Sequence, residues 1–571
     1  MVVREKLQRS LEEARTRLHR AVGVHVDLGF TEAKGRVLRA KRAFSPGEVI
    51  FTEQPLRMVS ADTSHPLWFV VEEHFSENRL DPIWYWSALC SLLTEELEVV
   101  HPVLATLIKH LDLPRISCDD QEQLELFYAP EVLSPSADIR CLLKNLEAAI
   151  IPKVYRKDTK LLEEFRCIFD PLRMELFLQI WVHNCFEFSE EPLTFVAYAQ
   201  SVYASHSCIP NAVWYLDDED PSKFILAARF DILPEDEIAI SYLSEEALLE
   251  LTPVRRRWLL ETKGFECHCP RCSAHTDLSR GFQCPSCLDG VVCLGPHDGD
   301  DFAEGQGPAV APDADVAQRL ARDKLFLPPN IPCTYHFDMA YFEDYMNFLP
   351  ARTCLQCGHE LTAQEIAQLV AIEKALVRLV KQLTGQDTDE ESWEEMTAQE
   401  LALVAPLCIP GRVLIDSNKD PLQDVCDFIK ANEDRKALGE YIDRTVPFHW
   451  IRLCWKEKEV QFFRQYRMRE EAMRTLEQIT PLLYRLHPCL IGTLGWHLER
   501  LADHKLRFMG ITPKSLEDCT LSADERGAAL ASDAVELYTE AYRILSTLFG
   551  TSHRDYLGVK VKLESVQKAL A

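Results

Sequence analysis

Cys267-His-Cys269-Pro-Arg-Cys272 sets three thiols close enough in sequence to converge on one metal ion. Thiolates spaced like this suit zinc, which takes four soft ligands in a tetrahedron at roughly 2.3 Å. A fourth ligand must come from elsewhere in the chain. His268 is one candidate, although a residue between two ligands usually points away from the metal. Cys284-Pro-Ser-Cys287 and Cys354-Leu-Gln-Cys357-Gly358 are two further pairs of the zinc-ribbon type. The 66 residues between them (354 − 287 − 1) exceed what a compact ribbon needs, but an insertion does not forbid a shared metal. Cys293 and Cys333 are alternative ligands there. Two zinc sites are expected.

The rest of the composition bounds what such sites can serve. A length of 571 residues is too great for one ordinary domain, and 47% hydrophobic residues allow sizeable cores. Lys and Arg number 62 against 90 Asp and Glu, a net charge of −28. That excess disfavours a general nucleic-acid coat and suits a basic partner such as a lysine-rich tail, or simply a soluble acidic surface. Arg255-Arg256-Arg257, ahead of Trp258, is the one basic run of note, and it reads as a solvated helix face. No apolar stretch reaches the roughly 18 residues that span a bilayer. The charged start MVVREKLQRSLEEARTRLHR lacks the core of a secretion signal. A cytoplasmic or nuclear setting is therefore expected, where disulfides are uncommon and the 20 cysteines need another account.

The elements that must position these residues show in the hydrophobic patterning. Leu7, Leu11, Ala14 and Leu18 mark an amphipathic N-terminal helix. Val24 to Leu56 alternates in short runs broken by Ala33-Lys34-Gly35 and Ser45-Pro46-Gly47, which predicts small strands. Residues 60–190 are mostly helical in pattern, and strand texture returns from Leu193 to Tyr242. Residues 295–330 read as a flexible insertion and Asp387–Glu395 as a loose acidic stretch. Beyond about residue 430 the pattern is nearly all helix. Ala534, Leu537, Tyr538, Ala541, Leu545 and Leu548 share one face ended by Gly550, and Val559, Leu563, Val566 and Leu570 form a second stripe, together a helical hairpin.

Four segments then combine in a specific order. Lys34-Gly35-Arg36-Val37-Leu38-Arg39-Ala40 is followed by Phe44-Ser-Pro-Gly47-Glu48-Val-Ile-Phe51-Thr-Glu53-Gln-Pro55. Next come Ser205-His206-Ser207-Cys208-Ile-Pro210-Asn211, then Glu237-Ile-Ala-Ile-Ser241-Tyr242, then Phe265-Glu-Cys267-His-Cys269-Pro-Arg-Cys272. Asn184-Cys185-Phe186 is a weaker fifth match. Together they resemble SET-domain methyltransferases, and among them the SET-and-MYND family, whose SET domain is split by an insertion. The resemblance covers roughly 24–56, 180–273 and, loosely, the helical stretch 430–571. It implies an α+β fold: an N-terminal helix (1–22), a SET first part (23–58), a helical insertion (59–190), a SET second part (191–245), and a post-SET zinc loop (246–273). A zinc-ribbon-like segment (274–360) and a tetratricopeptide-like helical domain (361–571) would follow. Residues 56–100 contain only Cys90, so no MYND finger can be inserted there.

The resemblance also assigns roles. It implies that Cys208 completes the zinc site of Cys267, Cys269 and Cys272, rather than acting as a nucleophile beside His206. It implies S-adenosylmethionine as methyl donor and the lysine amine of a protein or peptide as acceptor, with direct nucleic-acid or membrane binding not expected. Tyr242 would be the catalytic tyrosine, orienting the amine. Lys34, Gly35, Arg36, Asn184, Ser205, His206, Tyr242 and Phe265 would contact the cofactor. Two residues depart from the family pattern: Val37 stands for a second glycine and Ser205 for an asparagine. Both fall on the cofactor side. They favour a competing expectation, a catalytically weak or inactive SET-fold interaction or scaffold protein acting through its helical tail.

Overall fold

Local sequence chemistry explains where the elements start. The computed structural model describes residues 2–75, 81–96, 102–109, 113–296, 298, 351–354, 356–384, 432–486, 491–509, 511, 525–550 and 553–570. Cys333, the acidic stretch 387–395 and nearly all of the expected insertion 295–330 lie outside them. The chain divides into two units: one of Met1–His206, Pro210–Ile240 and Glu261–Gly264, the other of Ser207–Ile209, Ser241–Leu260 and Phe265–Ala571.

In the first unit, α1 (Val2–Val22) buries Ala14 and Leu18. Strands β1 (Val26–Thr31) and β2 (Gly35–Ala40) form a hairpin in which Thr31 pairs with Gly35, and Gly35 closes the turn at φ +71°. β3 (Val49–Glu53) and β4 (Arg57–Ser60) follow, then a run of helices. These are α2 (Pro66–Phe75), α3 (Pro82–Leu92), α4 (Pro102–Lys109), α5 (Cys118–Leu124), α6 (Ala137–Ile150), α7 (Thr159–Ile168) and α8 (Pro171–Asn184). Asp81, Ser117, Ser136, Asp158 and Asp170 cap five of them through side-chain oxygens, and Pro opens α3 and α8 at a position whose N–H would have no helical partner. Trp86, Trp181 and Phe177 lie at the centre of their common core.

The remaining strands of this unit are β5 (Phe186–Glu190), β6 (Leu193–Ala197), β7 (Ser205–His206), β8 (Ala212–Leu216), β9 (Phe224–Ala228) and β10 (Glu237–Ile240). They join three small sheets, ordered β1-β2-β10-β7, β3-β9-β8 and β4-β6-β5.

The second unit is mainly helical. It contains α9 (Glu245–Leu248), the Thr252–Leu260 part of α10 (Thr252–Lys263), α11 (Pro270–Ser273), and a sheet of β11 (Arg280–Gln283), β12 (Val291–Cys293) and, later in the chain, β13 (Phe448–His449). Its longer helices are α12 (Ala363–Thr384), α13 (Asn432–Thr445), α14 (Trp450–Gln465), α15 (Arg469–Leu486), α16 (Gly492–Phe508), α17 (Glu525–Phe549) and α18 (Arg554–Leu570). Ala534, Tyr538, Ala541, Leu545 and Leu548 are buried on α17, and Val559 and Val566 on α18, whereas Leu537 and Leu563 are only half-buried. Gly550 ends α17 at φ +75°. One buried polar knot crosses this unit. Arg280 on β11 donates to both oxygens of Glu373 on α12, at 2.9 and 2.5 Å, and His449 Nε2 lies 2.9 Å from Glu373. Among the described residues no helix is long and apolar enough to cross a membrane.

Candidate functional site

The first unit gathers its candidate residues at one edge of the four-stranded sheet. β10 runs antiparallel to β2, with Ile238 opposite Leu38, and parallel to β7, with Ile240 beside His206. The start of β2 and the ends of β10 and β7 therefore share an edge, which brings Gly35 and Arg36 to the same side of the sheet as His206. Asn211 locks this arrangement. Its Nδ2 donates to Glu237 O at 2.8 Å, and its Oδ1 accepts from Ala239 N at 2.9 Å, so one amide takes up two backbone groups along the same side of β10. The Asn211 contribution was not assigned from the sequence, although it closes the quoted His-Ser-Cys-x-Pro-Asn segment.

Side-chain partners divide these residues. Lys34 Nζ donates to Glu237 Oε1 at 2.5 Å, and the Ser205 hydroxyl donates to the same oxygen. Glu237 thus joins two residues expected at the cofactor. The Arg36 guanidinium stacks 5.1 Å from the Tyr203 ring centre and donates to Leu126 O, so the side chain turns into the protein and leaves the backbone at the strand start. His206 is buried. Asn184 has both ends of its amide engaged: Nδ2 donates to Tyr128 O and Ile180 O at 2.7 Å each, and Oδ1 accepts from Tyr128 N at 3.2 Å. Its geometry is that of a clamp at the end of α8. Val37 has no positive φ and lies buried in β2 opposite Gly29, a backbone setting that a β-branched residue adopts readily.

The second unit gathers the thiols. Sγ atoms of Cys208, Cys267, Cys269 and Cys272 all lie within 4.8 Å of one another, as do those of Cys284, Cys287, Cys354 and Cys357. Tetrahedral zinc with bonds of roughly 2.3 Å requires sulfurs about 3.8 Å apart. The separations of 3.5 Å for Cys208–Cys272, 3.8 Å for Cys284–Cys357 and 3.9 Å for Cys287–Cys354 fit that requirement. Cys208 is the fourth member of the first set, while His268 is exposed. Cys293 is buried outside the second. Hydrogen bonds from Cys208 and Cys267 hold the Cys272 thiol below its ordinary value.

The basic run before Trp258 is not the solvated face that its charge suggests. Arg255 is only 1% exposed; its Nη2 donates to Thr252 Oγ1 at 2.8 Å and lies 3.8 Å from Cys272 Sγ, and its Nη1 donates to Glu250 O. Burial pushes its guanidinium down, but the sulfurs of Cys208 and Cys272 outweigh that and hold it up. Arg256 donates to Cys267 O at 3.1 Å and to Cys272 O at 2.9 Å. Only Arg257 and Trp258 face solvent. Thiolates attract buried cations, and charge counting along a helix cannot see a cluster assembled from elsewhere.

Tyr242 and Phe265 pack edge to face, ring centres 6.3 Å apart, against the apolar shell that Leu243, Leu248 and Leu259 form around the first thiol set. Chain continuity links the two groups of residues. Tyr242 comes two positions after Ile240, the end of β10, and Cys208 two positions after His206. The aromatic pair thus stands beside the first thiol set in the second unit, and in the first unit the backbone at Gly35 is open: an added Cβ there would meet nothing within 4 Å.

No relative matches among curated proteins. Among solved structures, a crystal structure of the SET domain of LSMT bound to lysine and AdoHcy is matched at 11% identity and a TM-score of 0.25, covering 76% of this chain and 92% of that one. The described family that does match is the SET domain, over residues 35–243, a range that begins at the Gly35 turn and ends one residue past Tyr242.

Proposed function

We propose that this chain is a protein-lysine N-methyltransferase of the split, SET-and-MYND-like kind without a MYND finger, using S-adenosylmethionine as methyl donor. One observation carries the reading. Within the stretch matching the SET domain, Gly35, Arg36 and His206 converge on one sheet edge, and the inner strand β10 of that sheet ends two residues before Tyr242. When bound, the cofactor supplies a methyl group already activated by its sulfonium, so alignment and a neutral amine are what the protein must provide. Tyr242, half-buried against Phe265, offers an apolar wall that lowers the pKa of an entering lysine and a hydroxyl that orients its nitrogen. Gly35 and Arg36 would hold the cofactor by backbone atoms, with His206 beside them. Lys34 and Ser205 act through Glu237, which fixes both. Zinc held by Cys208, Cys267, Cys269 and Cys272 would fix the loop that carries Phe265, and the second thiol set would hold another zinc. A reducing compartment, cytoplasm or nucleus, keeps these thiols available.

The scaffold reading has one observation in its favour: the polar groups of Ser205 and Asn184 are engaged within the protein. Calorimetry of S-adenosylmethionine on zinc-replete protein separates the two. The methyltransferase reading requires micromolar binding that is lost in His206→Ala. It also requires Tyr242→Phe to reduce transfer of labelled methyl to lysine-rich protein by at least about tenfold while cofactor binding persists. Absence of binding by folded, zinc-loaded protein would establish the scaffold instead.

A further inference from the structure

The short helix α9 starts three residues after Tyr242, and both its ends are tied to the helical tail. At its start, the Glu245 carboxylate accepts from Gly492 N at 2.7 Å, from Thr493 N at 2.6 Å and from Thr493 Oγ1 at 2.9 Å. It thereby caps the first turn of α16, 247 positions away in sequence. At its end, the buried Arg271 of the first cysteine loop donates to Leu248 O at 2.6 Å and, through its other nitrogen, to Leu486 O at 3.0 Å. Leu486 is the last residue of α15. An anion thus meets the N-terminus of one tail helix, and a cation meets the C-terminus of the helix before it. Both pairings follow the helix dipole, with Arg271 buried and Glu245 half-buried.

We infer that the tail helices α15 and α16 are part of the apparatus that positions Tyr242, with Glu245 and Arg271 as the positioning residues; this rests on the methyltransferase reading above. The alternative role for the tail, a separable docking platform, would not need a carboxylate from the Tyr242 segment at its helix start. Nor would it need the loop between Cys269 and Cys272 to supply its helix end. Gly492 is fitted to the contact: an added Cβ would stand 3.1 Å from Glu245 Oε2, tighter than an ordinary contact. Between Tyr242 and Glu245 the chain has little slack. Leu243 is buried against the thiols, its N–H and C=O both bond Ser241 Oγ, and Ser244 caps α9. A shift of α9 is therefore passed to the Tyr242 ring rather than absorbed.

The test uses the full chain loaded with zinc. Glu245→Gln keeps the shape but weakens the cap, Arg271→Lys cannot bridge two carbonyls as a planar fork does, and Thr493→Val removes one contact from the tail side without burying a charge. Hydrogen exchange across residues 241–250 is expected to quicken by about tenfold in Glu245→Gln and in Thr493→Val, with residues 280–293 unchanged. Methyl transfer is expected to lose about tenfold in kcat at an unchanged KM for S-adenosylmethionine, with kcat taken per cofactor-binding site counted by calorimetry, so that loss of folded protein cannot account for the drop. Exchange that stays at the wild-type rate in all three variants, or an unchanged kcat, overturns the inference. If the wild type transfers no methyl group yet the exchange effect appears, the tether stands and the methyltransferase reading falls. Transfer without any exchange effect gives the reverse.

Discussion

At the scale of single residues, Cys208 and Glu53 show how much one buried group can decide. Cys208 is fully buried among three other thiols, and its segment alone supplies the fourth ligand of that set. Cys208→Ser is expected to halve the zinc content measured by mass spectrometry of the purified protein, leaving the set at Cys284, Cys287, Cys354 and Cys357 loaded. Glu53, at the end of β3, accepts from Gln200 N at 2.9 Å, from Ser201 N at 2.7 Å and from the Ser201 hydroxyl, and so fixes the turn that leads into β7. Burial pushes its carboxyl up to about 7 in spite of these donors, against 4.5 in its ordinary state. The folded state therefore holds a proton that the unfolded chain gives up. Stability from this group declines as pH rises from about 4.5 to about 7, by an amount on the order of 3 kcal/mol. Glu53→Gln should flatten that slope in urea unfolding curves recorded across the window; an unchanged slope would place its cause elsewhere.

Among the elements, the knot of Arg280, Glu373 and His449 joins β11, α12 and β13 with almost no water access. Burial raises the Glu373 carboxyl, but the His449 hydrogen bond and the Arg280 charge outweigh it, so it sits below the usual range. Its contribution is complete above the ordinary carboxylate pKa and is lost as pH falls through the lower folded value. Glu373→Gln should cost about 3 kcal/mol at neutral pH, because a buried cation loses its partner, and the gap from wild type should narrow under acid. Denaturant titrations at pH 7 and pH 3.5 check both parts. None of this was readable in the sequence, since Arg280, Glu373 and His449 are isolated residues in three ordinary patterns. The cysteine spacings and the α17 stripe were readable because their information is local. Cys208 was reachable only through resemblance, as a single thiol 59 positions from its partners (267 − 208) carries no spacing signal. Arg255 was misread for a related reason. Its periodicity places it on a helix, but what that helix face meets depends on four sulfurs brought in by other segments. Glu245 and Arg271 were silent too, since a cap normally lies within a few residues of the helix it caps.

For the whole molecule, the division into two units does not follow the order of the chain. Ser205 and His206 belong to one unit, Ser207–Ile209 to the other, Pro210–Ile240 to the first again, and the alternation recurs at Ser241, Glu261 and Phe265. No single cut frees an intact half. A chain of residues 1–264 keeps every candidate residue of the sheet edge and Cys208, yet lacks the three thiols that join Cys208. It should show no cooperative thermal transition by calorimetry, whereas a separable domain would unfold sharply. The same alternation sets a timetable on the ribosome. At translation rates of roughly 5 to 20 residues per second, Cys208 emerges about 3 to 12 seconds before Cys267, and Cys287 waits a similar time for Cys354. During those intervals the nascent chain carries unliganded thiols beside unfinished strands. Metal supply and reducing power at the moment of synthesis, more than the stability of the finished fold, would then govern how much protein a cell obtains.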